Sequence, residues 1–133
     1  QFILVDDSHL AISAADLVVL SSGTATLEVL LLRRPMIVGY KLAAITFAIA
    51  SRLVKIPYVA LPNLLAGRQL VPEYIQHDLT VKKVREGIVR HMTGGEDYEA
   101  TMLEFEQIHK SLRLGASSAA GLAIASLIEK DSS

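Results

Sequence analysis

The residues most able to do chemistry lie in Ser21-Ser22-Gly23-Thr24-Ala25-Thr26-Leu27-Glu28, directly after the apolar run Leu17-Val18-Val19-Leu20. Small polar residues there turn an apolar strand into a helix. Such a junction aims several backbone N–H groups and the positive end of the helix dipole at one point, which suits binding of a phosphate. Glu28 follows Thr24 by four residues and so shares its helix face, one turn below that point. Its neighbours Leu27, Val29, Leu30, Leu31 and Leu32 are apolar, and an idle carboxylate among them would be costly to bury. A carboxylate so placed can accept the two vicinal hydroxyls of a ribose, or it can serve its own helix dipole or a nearby arginine. The residues alone weigh the two readings equally.

A second constellation is Leu61-Pro62-Asn63-Leu64-Leu65-Ala66-Gly67-Arg68, followed by Val71-Pro72-Glu73-Tyr74-Ile75-Gln76. Asn63 after a proline and Gly67 before Arg68 suit a ligand-bonding loop. If Pro72 starts a helix, Glu73 and Gln76 are neighbours on one face, and carboxylate beside carboxamide matches the donors and acceptors of sugar hydroxyls. A solvated first turn is the commoner explanation of such a pair in isolation. Lys41, Arg52, Lys55 and Arg68 are cations available to a diphosphate, although a solvated role is the simpler account of at least two. Asp6, Asp7, Ser8 and His9 fall at a strand end, where helix entry explains them as well as a ligand does. No serine nucleophile elbow, Walker loop or dinucleotide glycine fingerprint is present.

Composition narrows the field. A formal charge of −1 over 133 residues supplies no basic excess to attract nucleic acid. Without cysteine there is no disulfide, thiolate metal site or thiol nucleophile, and the four histidines have no metal-ligand spacing, so no metal is expected. A hydrophobic fraction of 51% and a mean hydropathy of +0.40 point to a heavily buried sheet or to membrane proximity. The longest uncharged stretches fall short of the roughly 20 residues of a spanning helix. The opening Gln1-Phe2-Ile3-Leu4-Val5 reads as a start inside a strand, hence as a piece of a longer polypeptide.

The elements that must position these residues follow a strand–helix–strand rhythm. Apolar runs at 2–5, 17–20, 36–38 and 58–61 predict about four buried strands. Helices are predicted over 8–15, over 24–34 with Ser22 as N-cap and Pro35 as stop, and over 41–55. After Gly67 the chain reads as all helical. Thr80 caps a helix with Val81, Val84, Ile88 and Met92 on one face. Beyond Gly94-Gly95 come a helix over 96–112 with the stripe Tyr98, Met102, Phe105, Ile108 and Leu112, and another over 116–129. The reading is an α/β fold: part of a Rossmann-like parallel sheet over 1–93, followed by C-terminal helices over 94–133.

The segments A-A-D-L-V-V-L-S-S-G-T-A-T-L-E, P-M-I-V-G-Y-K and V-K-I-P-Y-V-A-L-P-N-L-L-A-G-R-Q-L-V-P-E-Y-I-Q resemble the C-terminal part of lipid-A-disaccharide synthases. The match runs from about Ala15 to Gln76 and continues more loosely to L-R-L-G-A-S-S-A-A. The resemblance implies the two-domain glycosyltransferase B architecture. It also implies transfer of a diacylglucosamine from UDP to a diacylglucosamine 1-phosphate, forming the β-1,6 disaccharide of lipid A and releasing UDP. Carried over, Ser22, Gly23 and Thr24 contact the diphosphate and Glu28 the ribose, while Asn63, Arg68, Glu73 and Gln76 face the donor sugar or its diphosphate. No cofactor is implied, since the UDP-sugar is a substrate, and backbone donors at a helix N-terminus can stabilise departing UDP without metal.

The family's L-P-G-S-R-like loop and its N-terminal domain are absent from these residues. The expectation is therefore the second half of a donor domain, with no catalytic residue of its own, inactive alone and prone to self-association. The lipid acceptor is expected to bind through the N-terminal domain, and the location is cytoplasmic, with peripheral contact at the inner membrane. Competing readings are another UDP-sugar glycosyltransferase or epimerase, against which L-P-N-L-L-A-G-R argues, a non-catalytic nucleotide-sensing module, and a structural interaction domain.

Overall fold

The computed structural model describes residues 3–21, 23–43, 58–94 and 96–131. In chain order the elements are α1 (Ser8–Ala14), β1 (Val18–Ser21), α2 (Thr24–Leu31), β2 (Met36–Tyr40), α3 (Leu61–Ala66), β3 (Glu73–Ile75), a 3-10 turn (Gln76–Asp78), α4 (Val81–Met92) and α5 (Glu96–Asp131). The strands form one parallel sheet in the order β1-β2-β3, with Ser21 opposite Gly39 and Tyr40 opposite Ile75. The fold is α/β, a Rossmann-like parallel sheet followed by C-terminal helix, with three strands among the described residues.

Burial explains the arrangement. Met36, Ile37 and Val38 are fully buried because β2 is central and covered on both faces. Met36 and Val38 join Val29 and Leu30 of α2 and Phe105 of α5 in the core. On the other face α4 packs against β2 through Gly87, where a Cβ would stand 2.8 Å from Tyr74 Oη and 3.1 Å from Ile37 Cδ1. Each fully buried side chain of this size contributes about 1.5–3 kcal/mol. Of the stripe on α5, Phe105 is buried and Met102 and Ile108 pack beside it.

Local signals set the boundaries. Asp7 caps α1 by accepting from Leu10 N at 3.1 Å, so helix entry accounts for that acid. Thr80 caps α4 by accepting from Lys83 N at 3.2 Å. α2 ends at Leu31, short of the expected 34, because Arg33 turns left-handed (φ 52°). Arg33 N then donates to Leu30 O and Arg34 N to Val29 O, closing the helix before Pro35.

Several sequence expectations are corrected. Ile3, Leu4 and Val5 are exposed and outside any strand, because no described strand lies beside them; Phe2 lies outside the described residues. β1 is covered on one face only among the described residues, leaving Val19 52% exposed. Residues 58–61 do not form a strand: Leu61 opens α3, with Pro62 in its first turn. The third strand is instead Glu73–Ile75, since the Pro72 carbonyl accepts from Val38 N at 3.0 Å and draws the segment onto β2. A proline at a strand start loses no ladder bond. On α4, Val81 and Met92 are exposed and Gly87 is the buried contact. The two helices expected over 96–112 and 116–129 are one, Gly115 costing only about 1 kcal/mol within it. The helix expected over 41–55, with Arg52 and Lys55, falls outside the described residues beyond position 43.

Candidate nucleotide site at the strand-end edge

In a parallel sheet, ligands bind beyond the C-terminal ends of the strands. At that edge here, β1 ends at Ser21 and α2 starts at Thr24. The turn between them requires Gly23, whose φ of 150° and ψ of −165° lie in a region essentially closed to other residues. The Gly23 carbonyl is occupied, accepting from Thr26 N at 3.1 Å and from Thr26 Oγ1 at 2.6 Å. The N–H groups of Thr24 and Ala25 meet no acceptor among the described residues, and no side chain caps the helix. Unfilled first-turn N–H groups at the positive end of a helix attract an anion.

One turn on, Glu28 is half-buried, and its carboxylate has no hydrogen-bond or ionic partner among the described residues. Among the described residues it pairs with no arginine, the bland alternative for this acid. Arg33 pairs with Glu106 of α5 at 3.5 Å, and Arg34 donates to the Ser13 carbonyl.

The second constellation behaves differently. Asn63 is fully buried in α3, with its amide saturated: Nδ2 donates to Val71 O at 3.1 Å and to Glu73 Oε2 at 2.8 Å. Its Oδ1 accepts from Leu70 N at 2.7 Å and Val71 N at 2.8 Å. Glu73 Oε1 accepts from Val59 N, and from Ala60 N at 2.9 Å. A strand carboxylate thus fixes the backbone that enters α3, whose own N-cap Ala60 has no side-chain acceptor. Glu73 and Gln76 do not share a helix face, because Glu73 opens β3 while Gln76 starts the 3-10 turn with φ 54°. Gln76 Nε2 donates to Leu42 O and its Oε1 accepts from Leu42 N, both at 3.2 Å.

The structure thus brings Gly23, Thr24 and Glu28 together at the start of α2 and joins Asn63 to Glu73. It sets Gln76 at the same strand-end edge against Leu42. Ser22 lies outside the described residues. Arg68 stands apart: it precedes the N-terminal end of β3, pairs with Glu104 of α5, and lines a cleft of about 380 Å³ with Val71, Arg90, His91 and Tyr98. In that cleft, burial holds the His91 imidazole below its ordinary pKa, against a Met36 carbonyl that favours the protonated ring. Nothing in the sequence signals the pairing of Gln76 with Leu42, since a glutamine after a strand carries no signal for left-handed backbone. No group of three or more His, Asp or Glu positioned to hold a metal occurs among the described residues.

A parallel α/β sheet with an open helix N-terminus at its strand-end edge defines a Rossmann-like unit. A sequence profile of the lipid-A-disaccharide synthetase family matches residues 1–127, and the chain belongs to that family. It is 50% identical over 121 residues to the lipid-A-disaccharide synthase of Pseudomonas fluorescens strain Pf0-1, covering 91% of this chain and 31% of that protein. Against the enzyme of strain SBW25 the identity is 48% over 126 residues, 95% of this chain and 32% of the relative. Against that of Alcanivorax borkumensis it is 44% over 127 residues, 95% and 33% respectively. The chain thus spans about a third of the length of these relatives. Among the described residues no helix is long and apolar enough to cross a membrane.

Proposed function

We propose that these residues form the donor-holding part of a lipid-A-disaccharide synthase, with the diphosphate of a UDP-linked diacylglucosamine at the turn Ser22-Gly23-Thr24 and its ribose at Glu28. In the transfer, the 6-hydroxyl oxygen of a diacylglucosamine 1-phosphate bonds to C1 of the donor sugar. The C1–O bond to UDP breaks, and the hydroxyl proton passes to a base supplied from outside these residues. The role of α2 is electrostatic: first-turn N–H groups stabilise negative charge gathering on the departing diphosphate. Asn63 and Glu73 act behind the site, holding α3 and β3 in register, and Gln76 stands at the same edge. A peripheral place at the cytoplasmic face of the inner membrane follows from a lipid acceptor.

The observation that carries this reading is a Glu28 carboxylate, one turn beyond the N–H groups of Thr24 and Ala25, with all three left without partners among the described residues. Calorimetric titration of the full-length protein tests it. Wild type should prefer UDP to 2′-deoxy-UDP, and Glu28→Ala should lose about tenfold in UDP affinity together with that preference. Unchanged discrimination in the variant would remove Glu28 from the ribose.

A further inference from the structure

Gln76 is one of two described non-glycine residues with a left-handed backbone, the other being the helix-ending Arg33. Holding a glutamine there costs on the order of 1 kcal/mol and persists only when surroundings enforce it. What enforces it is the double hydrogen bond to Leu42. The β2–β3 ladder ends at the pair Tyr40 and Ile75. One residue past Ile75 and two past Tyr40, the Gln76 amide offers a donor and an acceptor to one backbone residue, as a neighbouring strand would. The exit of β2 is thereby tied to the end of β3.

The residue this fixes is Lys41, between the last strand residue and the clamped Leu42. It is exposed and has no ion-pair partner among the described residues. Register places it: Ser21 is opposite Gly39, and Gly23 and Lys41 each follow by two residues. Adjacent strands are about 4.8 Å apart, so Lys41 leaves β2 at the same strand-end edge as the turn that follows Ser21 on β1. Arg68, the other described cation considered for a diphosphate, belongs to the far end of the sheet and is paired.

We propose that Lys41 is the counter-charge for the donor diphosphate and that Gln76 is a positioning residue that holds it there through Leu42. The inference rests on the donor-site reading above and adds to it a cation and the device that fixes it.

The test is calorimetry on the full-length protein with UDP, and with uridine as a competitor lacking phosphate. Lys41→Ala should weaken UDP about tenfold and leave uridine unchanged. Gln76→Gly accepts φ 54° without cost but has no amide, so its melting temperature should hold while UDP weakens about threefold. The double variant should bind UDP no worse than Lys41→Ala alone, because the clamp acts only through the lysine. Losses that multiply in the double variant would mean that Gln76 meets the ligand itself and would overturn the clamp. Unchanged UDP affinity in Lys41→Ala would overturn the proposal, and as an exposed site it keeps the test open even if Gln76 variants fold poorly. A wild-type protein that binds no UDP would overturn the donor-site reading along with it.

Discussion

The starts of α2 and α3 each stand close to a carboxylate, and they use it in opposite ways. At α3 the Glu73 carboxylate fills the N–H groups of Val59 and Ala60 and receives the Asn63 amide, so every polar group of the cluster is consumed by the chain itself. At α2 the N–H groups of Thr24 and Ala25 and the Glu28 carboxylate are left without protein partners among the described residues. Buried polar groups must be satisfied, so a saturated cluster specifies structure, whereas an open one at a strand-end edge is available to a ligand. The contrast separates two clusters that look equally functional in the sequence.

The most damaging way to probe the contrast is Asn63→Ala. It strands Leu70 N, Val71 N and Val71 O and removes a partner of Glu73, all in a buried setting. Stability should fall by about 3 kcal/mol or more in denaturant unfolding. A variant that kept full stability would show that the cluster is not the structural knot its geometry describes.

How much of this was legible beforehand depends on which interactions are local. The strand and helix of Leu17 to Glu28, the Thr80 cap and the Met102, Phe105 and Ile108 part of the α5 stripe are written within a few residues of themselves, and all three are found in the structure, whereas Leu112 of that stripe is exposed. Asn63 and Glu73 stand out in the sequence as polar residues in need of partners, but those partners lie 7 to 14 residues away. Only the assembled sheet shows that those partners are protein. At residues 73–75 a proline and an acid resemble the first turn of a helix, and pairing with β2 overrides that local preference. The left-handed Gln76 is legible only from its distant bond to Leu42.

Gly87→Ala supplies the next contrast, a packing defect on the sheet face away from both carboxylates. The added methyl would meet Tyr74 Oη at 2.8 Å and Ile37 Cδ1 at 3.1 Å. Overpacking of this kind should cost about 1–3 kcal/mol, with the ratio of UDP to 2′-deoxy-UDP affinity unchanged. A shifted ratio would tie nucleotide discrimination to this packing rather than to Glu28.

A smaller effect is expected on acidification, at the end of the sheet opposite the candidate site. His91 is held neutral by burial, with its pKa below the ordinary 6.5. The unfolded chain therefore takes up a proton first as pH falls. The His91 contribution is fully present above about pH 6.5 and is lost progressively between that value and the lowered folded pKa. Melting temperature followed from pH 7.5 to 5 should decline, and His91→Gln should flatten the upper part of that decline. An identical slope in the variant would assign the acid sensitivity to other groups.

The smallest expected change in stability is at Glu28, and its smallness is the sharpest form of the contrast. A carboxylate that capped or paired within the fold would cost about 1 kcal/mol or more when removed, as Asn63 and Glu73 should. Glu28 has no such partner among the described residues, so Glu28→Ala should shift unfolding free energy by no more than about 0.5 kcal/mol. Removing a half-buried charge from apolar neighbours can even stabilise the fold, as happens where binding residues are held against the preference of the scaffold. Denaturant unfolding of Glu28→Ala beside Asn63→Ala, at one pH and without nucleotide, makes the comparison directly. Equal destabilisation of the two would place Glu28 among the structural carboxylates and return the turn at Gly23 to an ordinary helix start.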